Sequence, residues 1–194
     1  IPEVLLSGDH AKMEKFRKNE AVKRTVKEHF QWARSHCSEQ EDRALIKEHM
    51  PNHYVALLHH DVIVGQGESG TSSVTSLDIH DIARSSRTYG IEHYFITTPL
   101  NDQQKIVNNM LQFWADAGID YNKKRSEAVK LVSVVDSLDQ VIKEIEKKEG
   151  KLPLVVGTSA RQMGDAELIS YYEQEKVWKQ DRPVLLIFGT ARGI

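Results

Sequence analysis

The stretch Ser73–Leu100 constrains the fold most strongly, because a charged amphipathic segment is followed at once by a short apolar run. Leu77–Tyr89 has helical spacing, and Gly90 stands where a helix C-cap favours a residue with positive φ. His93–Thr97 is aromatic and β-branched and is closed by Pro99, which predicts a buried strand with a sharp end. A helix that leads into such a strand is typical of an α/β fold, whose ligands bind beyond the carboxyl ends of the strands.

The chain after Pro51 continues this alternation, which predicts a parallel sheet with helices on both faces. The predicted strands are Tyr54–Leu58, His93–Thr97, Val129–Val135, Leu152–Gly157 (a buried strand) and Val184–Phe188. The predicted helices are Leu77–Tyr89, Asp102–Ala117, Leu138–Lys148 (ending at Gly150) and Asp165–Trp178. The connections include a Gly/Ser-rich loop at Val62–Ser73 and a basic turn at Asn122–Arg125.

Residues 1–50 differ in character and are predicted to be a small helical segment, with helices at Ala11–Trp32 and Glu39–His49. Pro51-Asn52 breaks the pattern, so we place a domain boundary there and expect domains at 1–50 and 51–194. Between Ala11 and Arg34 there are eight Lys or Arg against three Glu. Such a stripe can bind a phosphate backbone, although a solvated helix face is its commoner explanation.

The composition excludes several classes of protein. The net charge of −2 gives no global basic field, and 40% hydrophobic residues are enough to bury a core. Cys37 is the only cysteine, which excludes a disulfide framework or a thiolate metal cluster, and the nine His show no metal-ligand spacing, so we expect no metal site. We find no signal peptide and no apolar run long enough to cross a bilayer, and we expect a cytoplasmic protein that does not enter a membrane.

Three predicted strands end in small polar loops: Thr97-Thr98-Pro99, Gly157-Thr158-Ser159-Ala160 and Gly189-Thr190. Small polar residues also make good turns, so any one of these loops is explained by turn formation alone. The carboxyl ends of parallel strands share one edge of the sheet, and three such loops together predict a ligand pocket.

Other motifs leave alternatives open. Residues 65–70 match the dinucleotide fingerprint G-x-G-x-x-G, but that fingerprint requires a helix to open at its third glycine, and here polar residues intervene. His59-His60 follows a strand and is a candidate for lining a site. His80 is the preferred candidate, because it lies among acidic and basic neighbours; a surface His paired with a carboxylate explains it equally well.

The run DIHDIARSSRTYG resembles the first motif of the SPOUT superfamily of RNA methyltransferases. Together with VALLHH, ITTPL, VDSL, PLVVGTSAR and RPVLLIFGT it is similar to a bacterial family of SPOUT-type RNA methyltransferases, over about residues 54 to 194. The resemblance implies an α/β-knot fold, S-adenosylmethionine as cofactor, an RNA substrate and a homodimer. It also implies that the three polar loops form the cofactor pocket, with these binding residues: Thr97, Thr98, Pro99, Thr158, Ser159, Ala160, Phe188, Gly189, Thr190, Gly193 and Ile194.

Methyl transfer from a sulfonium requires positioning, and a base if the acceptor is protonated. Under this resemblance Asp78 or Asp81 is the candidate base. Arg84 and Arg87 are candidates for holding RNA phosphate or supporting the acceptor, because guanidinium binds phosphate bidentately; pairing within the helix is the structural alternative.

Residues 1–30 resemble a different segment, which leads from the catalytic domain of tRNA (guanine-N(1)-)-methyltransferase into its helical C-terminal domain. The chain is therefore similar to the junction of a fusion between that enzyme and a second SPOUT domain. This implies tRNA as the partner, with Lys23, Arg24, Lys27 and His80 as RNA contacts.

Two departures from the family pattern concern the end of the sequence. Ala191-Arg192 stands where the pattern has Gly and an aromatic residue. The family also has a further segment that closes the knot, and the sequence stops at Ile194. We therefore expect the knot-closing segment to be absent from these residues, Phe188 and Ile194 to lack their cover, and the chain alone to bind cofactor weakly or to be inactive.

Two rival functions remain at this point. One is an NAD-type α/β oxidoreductase that uses the glycine loop at residues 65–70. The other is a non-catalytic RNA-binding or dimerisation module that uses the basic helix at residues 11–34. The sequence does not name the RNA, the nucleotide or the methylated atom.

Overall fold

We analysed a computed structural model of the chain, which describes residues 1–159 and 166–194. The chain divides into two compact units. The first consists of Ile1–Pro51 and Glu167–Asp181, and the second of Asn52–Ala166 and Arg182–Ile194.

The elements are numbered in chain order. The helices are α1 (His10–Glu28), α2 (Phe30–His36), α3 (Gln40–Glu48), α4 (Ser76–Tyr89), α5 (Asn101–Ala115), α6 (Gly118–Tyr121), α7 (Lys123–Val129), α8 (Leu138–Glu149) and α9 (Gln174–Trp178), with a 3₁₀ turn at Glu3–Leu6. The strands are β1 (His53–Leu58), β2 (Val62–Val64), β3 (Glu68–Gly70), β4 (His93–Thr97), β5 (Val132–Val135), β6 (Leu154–Gly157) and β7 (Val184–Gly189). None of the helices in the described residues is long and apolar enough to cross a membrane.

The first unit is a small helical body formed by α1, α2, α3 and α9. The side chain of Asp9 caps α1 by accepting a hydrogen bond from the backbone of Lys12. The helix predicted at Ala11–Trp32 is divided in two, because His29 leaves the helical conformation with φ −141° between α1 and α2. The ring of Phe30 packs edge-to-face on Trp178, with ring centroids 4.3 Å apart, so α2 and α9 share an aromatic contact.

The second unit is organised by a five-stranded sheet in the order β5-β4-β1-β7-β6. Each neighbouring pair is parallel. This confirms the predicted fold class of a parallel α/β sheet, whose strand order the sequence had left open. The central strand β1 pairs with β4 over residues 54–58 and with β7 over residues 53–58.

The central strands β1 and β4 are buried on both faces, as is usual in parallel sheets. Alternate residues of β1 divide between two clusters: Tyr54, Ala56 and Leu58 join the cluster that α8 covers. Val55 and Leu57 join the cluster formed with α4, α5 and α7. The period-two alternation of a strand thus places one apolar set under each helical layer.

Two predicted helix ends are confirmed by their backbone geometry. Gly90 ends α4 with φ 69° and Gly150 ends α8 with φ 70°, both in the left-handed region. At its start α4 carries a capping box, in which Thr75 and Asp78 each bind the backbone of the other. The capping box and Gly90 therefore fix the two ends of the charged helix α4.

Two predicted connections are wrong. The glycine-rich loop at Val62–Ser73 contains an antiparallel hairpin of β2 and β3, with Gly65 and Gly67 at positive φ in its turn. The basic turn at Asn122–Arg125 is instead the start of α7, whose first turn is capped by the Asn122 side chain. The hairpin depends on its glycine turn, and the start of α7 depends on the Asn122 cap.

Two other predicted elements are longer than the observed ones. The helix predicted at Asp165–Trp178 is observed only over α9. Residues 166–173 are not helical, and Asp165 lies outside the described part. The strand predicted as buried at Leu152–Gly157 starts at Leu154, and its residues are half-buried or exposed because β6 is an edge strand.

The end of β7 returns tightly on itself. A Cβ built at Gly189 would lie 2.7 Å from the backbone carbonyl carbon of Gly193 and 2.7 Å from Cγ2 of Ile194. No side chain fits at Gly189 without moving residues 193–194. At Gly157, at the end of the neighbouring β6, the nearest heavy atom would be 3.7 Å away.

We therefore predict that Gly189→Ala displaces the 193–194 segment and lowers the free energy of unfolding by about 1–3 kcal/mol, as overpacking does. Urea denaturation measures the loss. Gly157→Ala is the matched control, because the new methyl group makes only ordinary contacts. Equal stability of the two variants would show that the return of the chain at Gly189 is not tight.

Candidate functional site

The loops that follow four parallel strands lie at one edge of the sheet. His59 follows β1, Thr98 follows β4, Thr158 follows β6, and Thr190 follows β7. Because all neighbouring strands are parallel, these residues meet at the carboxyl edge. The expectation that the threonine-bearing loops share one edge is confirmed.

The loop after β4 is held from within. Thr97 and Thr98 are both buried. The Thr98 backbone N–H donates to the carbonyl of Val135 (3.0 Å), and its own carbonyl accepts from Nε2 of Gln104 (2.8 Å). Its hydroxyl accepts from the backbone of Leu100 (3.4 Å). The polar groups of Thr98 therefore shape the loop, and the exposed surface there belongs to Pro99 and Leu100.

The loop after β6 is exposed. The backbone N–H and the hydroxyl of Thr158 both donate to the carbonyl of Ile187, each at 3.0 Å. Thr158 and Ser159 remain exposed to solvent. Ala160 lies outside the described residues. Among the three strand-end threonines, Thr158 is the most exposed residue.

The segment after β7 folds against β2. The carbonyl of Gly193 accepts from the backbone of Ile63 (2.9 Å), and Ile63 in turn accepts from Arg192 (3.1 Å). Ile194 is partly buried against the cluster under α8, whereas Phe188 is exposed. The expected lack of cover is therefore observed for Phe188 and is wrong for Ile194.

Ala191 adopts φ +54°. This is the left-handed region, which strongly favours glycine. The family pattern expected Gly at this position, and the backbone has the conformation that a glycine would adopt.

A chain of hydrogen bonds links the loops after β1 and β7. The hydroxyl of Thr190 donates to the carbonyl of Leu58 (2.9 Å), because a carbonyl can only accept. The 2.5 Å contact between Thr190 and the Ser72 hydroxyl then has Ser72 as the donor. Ser72 has no second hydroxyl proton, so Nδ1 of His59 donates to it (3.0 Å). The chain assigns the Nδ1–H tautomer to His59.

The other ring nitrogen of His59, Nε2, has no hydrogen-bond partner in the described structure, and the residue is 0% exposed. Nε2 faces Oδ2 of Asp78 at 3.7 Å, and the Asp78 side chain is 25% exposed. Burial lowers the pKa of His59, and the negative charge of Asp78 opposes that shift. Oδ2 of Asp78 also accepts from the backbone and the hydroxyl of Thr75, both at 2.8 Å.

The remaining charged candidates on α4 are paired on its surface. Arg84 donates to Asp81 at 2.8 Å, and both side chains are exposed. Arg87 is paired with Glu127 of α7. Exposed pairs of this kind contribute little to stability. Asp78 is the member of this group that the fold brings beside the strand-end residue His59.

His80 lies against Trp114, with ring centroids 5.5 Å apart in an edge-to-face arrangement. Arg125 stacks over the same indole at 5.2 Å. Burial lowers the pKa of His80, and the positive charge of Arg125 lowers it further. This histidine therefore belongs to an aromatic and cationic cluster of α4, α5 and α7.

The basic candidates of the first unit lie on α1. Lys23 and Arg24 are exposed. Lys27 is 2.8 Å from Asp181 of the same unit, so it is partly neutralised. Two of the three predicted RNA contacts on α1, Lys23 and Arg24, therefore present their charge without an ion pair in the described structure.

The sequence pattern favoured His80 over His59, which was a candidate only for lining a site, and it did not indicate Ser72. The position of His59 directly after the central strand was visible in the sequence. Its partner Ser72 lies 13 positions away in a stretch predicted as loop, and Thr190 lies a further 118 positions on. No local pattern indicates these contacts. The described residues contain no group of three or more His, Cys, Asp or Glu that could hold a metal ion.

The fold and the strand-end loops are those of an α/β domain that binds its ligand at the carboxyl edge. The family described as SAM-dependent RNA methyltransferase matches residues 52–194, which include the whole parallel sheet. The chain belongs to this family of S-adenosylmethionine-dependent RNA methyltransferases. The expectations for the class of enzyme and for its cofactor are thereby confirmed.

Individual relatives extend the comparison. Two proteins named tRNA (guanine-N(1)-)-methyltransferase, from Oleidesulfovibrio alaskensis and Nitratidesulfovibrio vulgaris, are each 36% identical over 200 aligned residues, which cover 100% of this chain and 46% of the relative. The chain thus spans about half the length of these curated relatives. An uncharacterized protein from Aquifex aeolicus is 38% identical over 144 residues, which cover 74% of this chain and 70% of that protein.

Proposed function

We propose that the second unit transfers a methyl group from S-adenosylmethionine to tRNA. The observation that carries this proposal is the family match over 52–194, because that span includes the sheet edge where the strand-end loops meet. The two relatives named as tRNA methyltransferases support tRNA as the substrate.

We further propose a division of labour between two domains, 1–50 and 51–194, in a protein that fuses a tRNA (guanine-N(1)-)-methyltransferase to a second methyltransferase. The similarity of residues 1–30 to the former supports this arrangement. The relatives of the same name align with both parts of the chain, which is compatible with it.

The residues at the carboxyl edge fit the proposed cofactor. Its adenine and methionine parts require apolar contacts with a few polar groups. Pro99, Leu100 and Phe188 expose apolar surface at the strand ends, and the polar residue Thr158 is exposed beside them. Residues 97–99, 158–160 and 188–194 are the segments that we propose to hold it.

When bound, S-adenosylmethionine supplies an electrophilic methyl group. The residues of the chain would bind and orient the acceptor, which supplies most of what such a transfer needs. An acceptor that carries a proton also requires a base. We propose Asp78 for that role, because its carboxylate is partly exposed and lies beside His59 at the sheet edge.

Asp81 is the less favoured base, because it is paired with Arg84 on the exposed surface of α4. Arg84 and Arg87 are proposed to exchange their carboxylate partners for RNA phosphates, since guanidinium binds both in the same bidentate manner. His80 is retained as a proposed RNA contact beside them.

The test combines binding with transfer. We expect S-adenosylmethionine, and not NADH, to give binding heat in a calorimetric titration, and we expect labelled methyl groups to appear in unmodified tRNA. Asp78→Asn should lower the transfer rate by about 10²–10⁴-fold, the usual contribution of a general base. Asp81→Asn is the matched control and should change the rate by less than about tenfold.

Two results would contradict the proposal. Binding of NADH instead of S-adenosylmethionine would favour the oxidoreductase, although the glycines at 65–67 lie in a hairpin turn and α4 begins only at Ser76. Binding of tRNA without any transfer would favour the non-catalytic module.

We also propose that the basic face of α1 contacts tRNA through its phosphates. Lys23 and Arg24 are exposed, and contacts of this kind are tolerant of sequence and sensitive to salt. Lys27 is expected to contribute less, because Asp181 neutralises it.

Replacing Lys23, Arg24 and Lys27 by Gln together should reduce the slope of log affinity against log salt by roughly two units, about 0.9 for each phosphate that the variant no longer neutralises. Filter binding of tRNA at several salt concentrations measures the slope. The control replaces Lys143 and Lys147, exposed lysines of α8, by Gln. If both variants keep the original slope, α1 does not contact the RNA.

The homodimer and the cytoplasmic location are also proposals, supported by the resemblance to SPOUT enzymes and by the location of tRNA. Sedimentation equilibrium tests the first. A monomer throughout the micromolar range would contradict it.

A further inference from the structure

The Nε2 atom of His59 is an unusual feature of the sheet edge. It is buried and has no hydrogen-bond partner in the described structure, and the whole residue is 0% exposed. A buried polar atom that lacks a partner has lost its hydrogen bonds to water without replacing them, which destabilises the folded state. Such an atom in a folded protein calls for a physical explanation.

The backbone and the other ring nitrogen of His59 are held by hydrogen bonds. The backbone N–H of His59 donates to the carbonyl of Thr97 (3.0 Å), and the backbone carbonyl of His59 accepts from the backbone of Ser72 (2.8 Å). Nδ1 donates to the Ser72 hydroxyl, whose own proton goes to Thr190. These contacts fix the ring and leave Nε2 as the basic nitrogen.

The groups around this nitrogen are few. Asp78 of α4 presents Oδ2 at 3.7 Å. The segment 72–73 supplies hydrogen-bond partners, which favour the protonated ring. The neighbouring His60 is directed elsewhere, to Thr71 (2.8 Å) and Asp61 (3.3 Å). Among the described residues, the ionisable group that Nε2 faces is Asp78, which is the proposed base.

Nε2 of His59 and Oδ2 of Asp78 lie 3.7 Å apart, and both are hydrogen-bond acceptors with no proton between them. Neutral His59 offers a lone pair at Nε2, and ionised Asp78 offers a lone pair at Oδ2. One added proton would satisfy both atoms, with the carboxylate moving about 1 Å closer to reach hydrogen-bond distance. The two groups together can therefore take up one proton and share it in a hydrogen bond.

We propose that His59 is a positioning residue that receives, through Asp78, the proton released from the RNA acceptor during methyl transfer. The inference rests on the proposed function and deepens it. The acceptor atom forms a bond to the methyl carbon, and the carbon–sulfur bond breaks with its electron pair left on sulfur. The acceptor proton passes to the Asp78 carboxylate and then to Nε2 of His59, so the pair ends as carboxylate and imidazolium.

This pathway keeps the charge of the site constant. Transfer removes the positive charge of the sulfonium, and the imidazolium restores it beside the Asp78 carboxylate. Attraction between opposite charges is strong where water is excluded. Because His59 is buried and the Asp78 side chain is partly exposed, the carboxylate is the group through which a substrate proton would reach the ring.

The activity test uses two replacements of His59. His59→Asn keeps an N–H at the position of Nδ1 for the bond to Ser72 and removes Nε2. His59→Gln places a non-titrating amide nearer to Nε2. We expect each to lower kcat for tRNA methylation by roughly tenfold to a hundredfold and to remove an ionisation below neutral pH from the kcat profile, with KM for S-adenosylmethionine unchanged. His60→Gln is the matched control and should keep the wild-type profile.

A second measurement does not depend on activity. Nitrogen-15 NMR of the wild-type protein should show the Nδ1–H tautomer of His59 at alkaline pH. Asp78→Asn should shift the titration of His59 to lower pH, because the carboxylate that attracts the imidazolium is gone. The Nε2–H tautomer, or a titration unaffected by Asp78→Asn, would overturn the proposal.

The two measurements separate the possible failures. If no RNA is methylated but the tautomer and the Asp78 coupling are found, the proposed function fails and the proton-accepting pair stands. If RNA is methylated and His59→Asn retains the wild-type kcat and pH profile, the proposed function stands and the role of His59 is wrong.

Discussion

The hydrogen bonding of β1 on both sides is the constraint on which the second unit depends. Its backbone pairs with β4 along one side and with β7 along the other. Its side chains alternate between the two apolar clusters, so this strand is covered above, below and on both edges. A residue that follows such a strand is held at the centre of the carboxyl edge with little freedom. His59 occupies this position.

The loops around His59 are stabilised by one another. Thr190 reaches the carbonyl of Leu58 at the end of β1, and Ser72 connects Thr190 to His59. The segment after β7 is also bonded to Ile63 of the hairpin. Loops that satisfy each other's polar groups retain their geometry without a ligand, which is the condition for a preorganised site.

The sequence was sufficient where local chemistry decides the structure. β4 was predicted with its observed bounds, because an aromatic and β-branched run lies between Gly90 and Pro99. The glycine ends of α4 and α8 were predicted for a similar reason, since positive φ strongly favours glycine. The threonine-bearing edge followed from the strand ends once a parallel sheet was assumed.

The sequence was insufficient where packing decides. The residues before α9 have helical composition, but Leu168, Tyr171 and Tyr172 are exposed and no core holds them in a helix. The burial of β6 could not be predicted because its place at the edge of the sheet depends on the strand order. The His59–Asp78 pair was missed for the same reason, because α4 and the end of β1 meet only in three dimensions.

The internal hydrogen bonds of the threonines also restrict what this edge can do chemically. Thr98 is buried, and its hydroxyl accepts from the backbone of Leu100. Thr190 donates its hydroxyl proton to the carbonyl of Leu58. Neutral hydroxyls that are already bound do not change their protonation during a reaction near neutral pH. Any proton transfer at this edge must therefore use groups that titrate near neutral pH. The hydrogen-bond chain from Leu58 through Thr190 and Ser72 reaches such a group, and it leaves the basic nitrogen of that group facing a carboxylate.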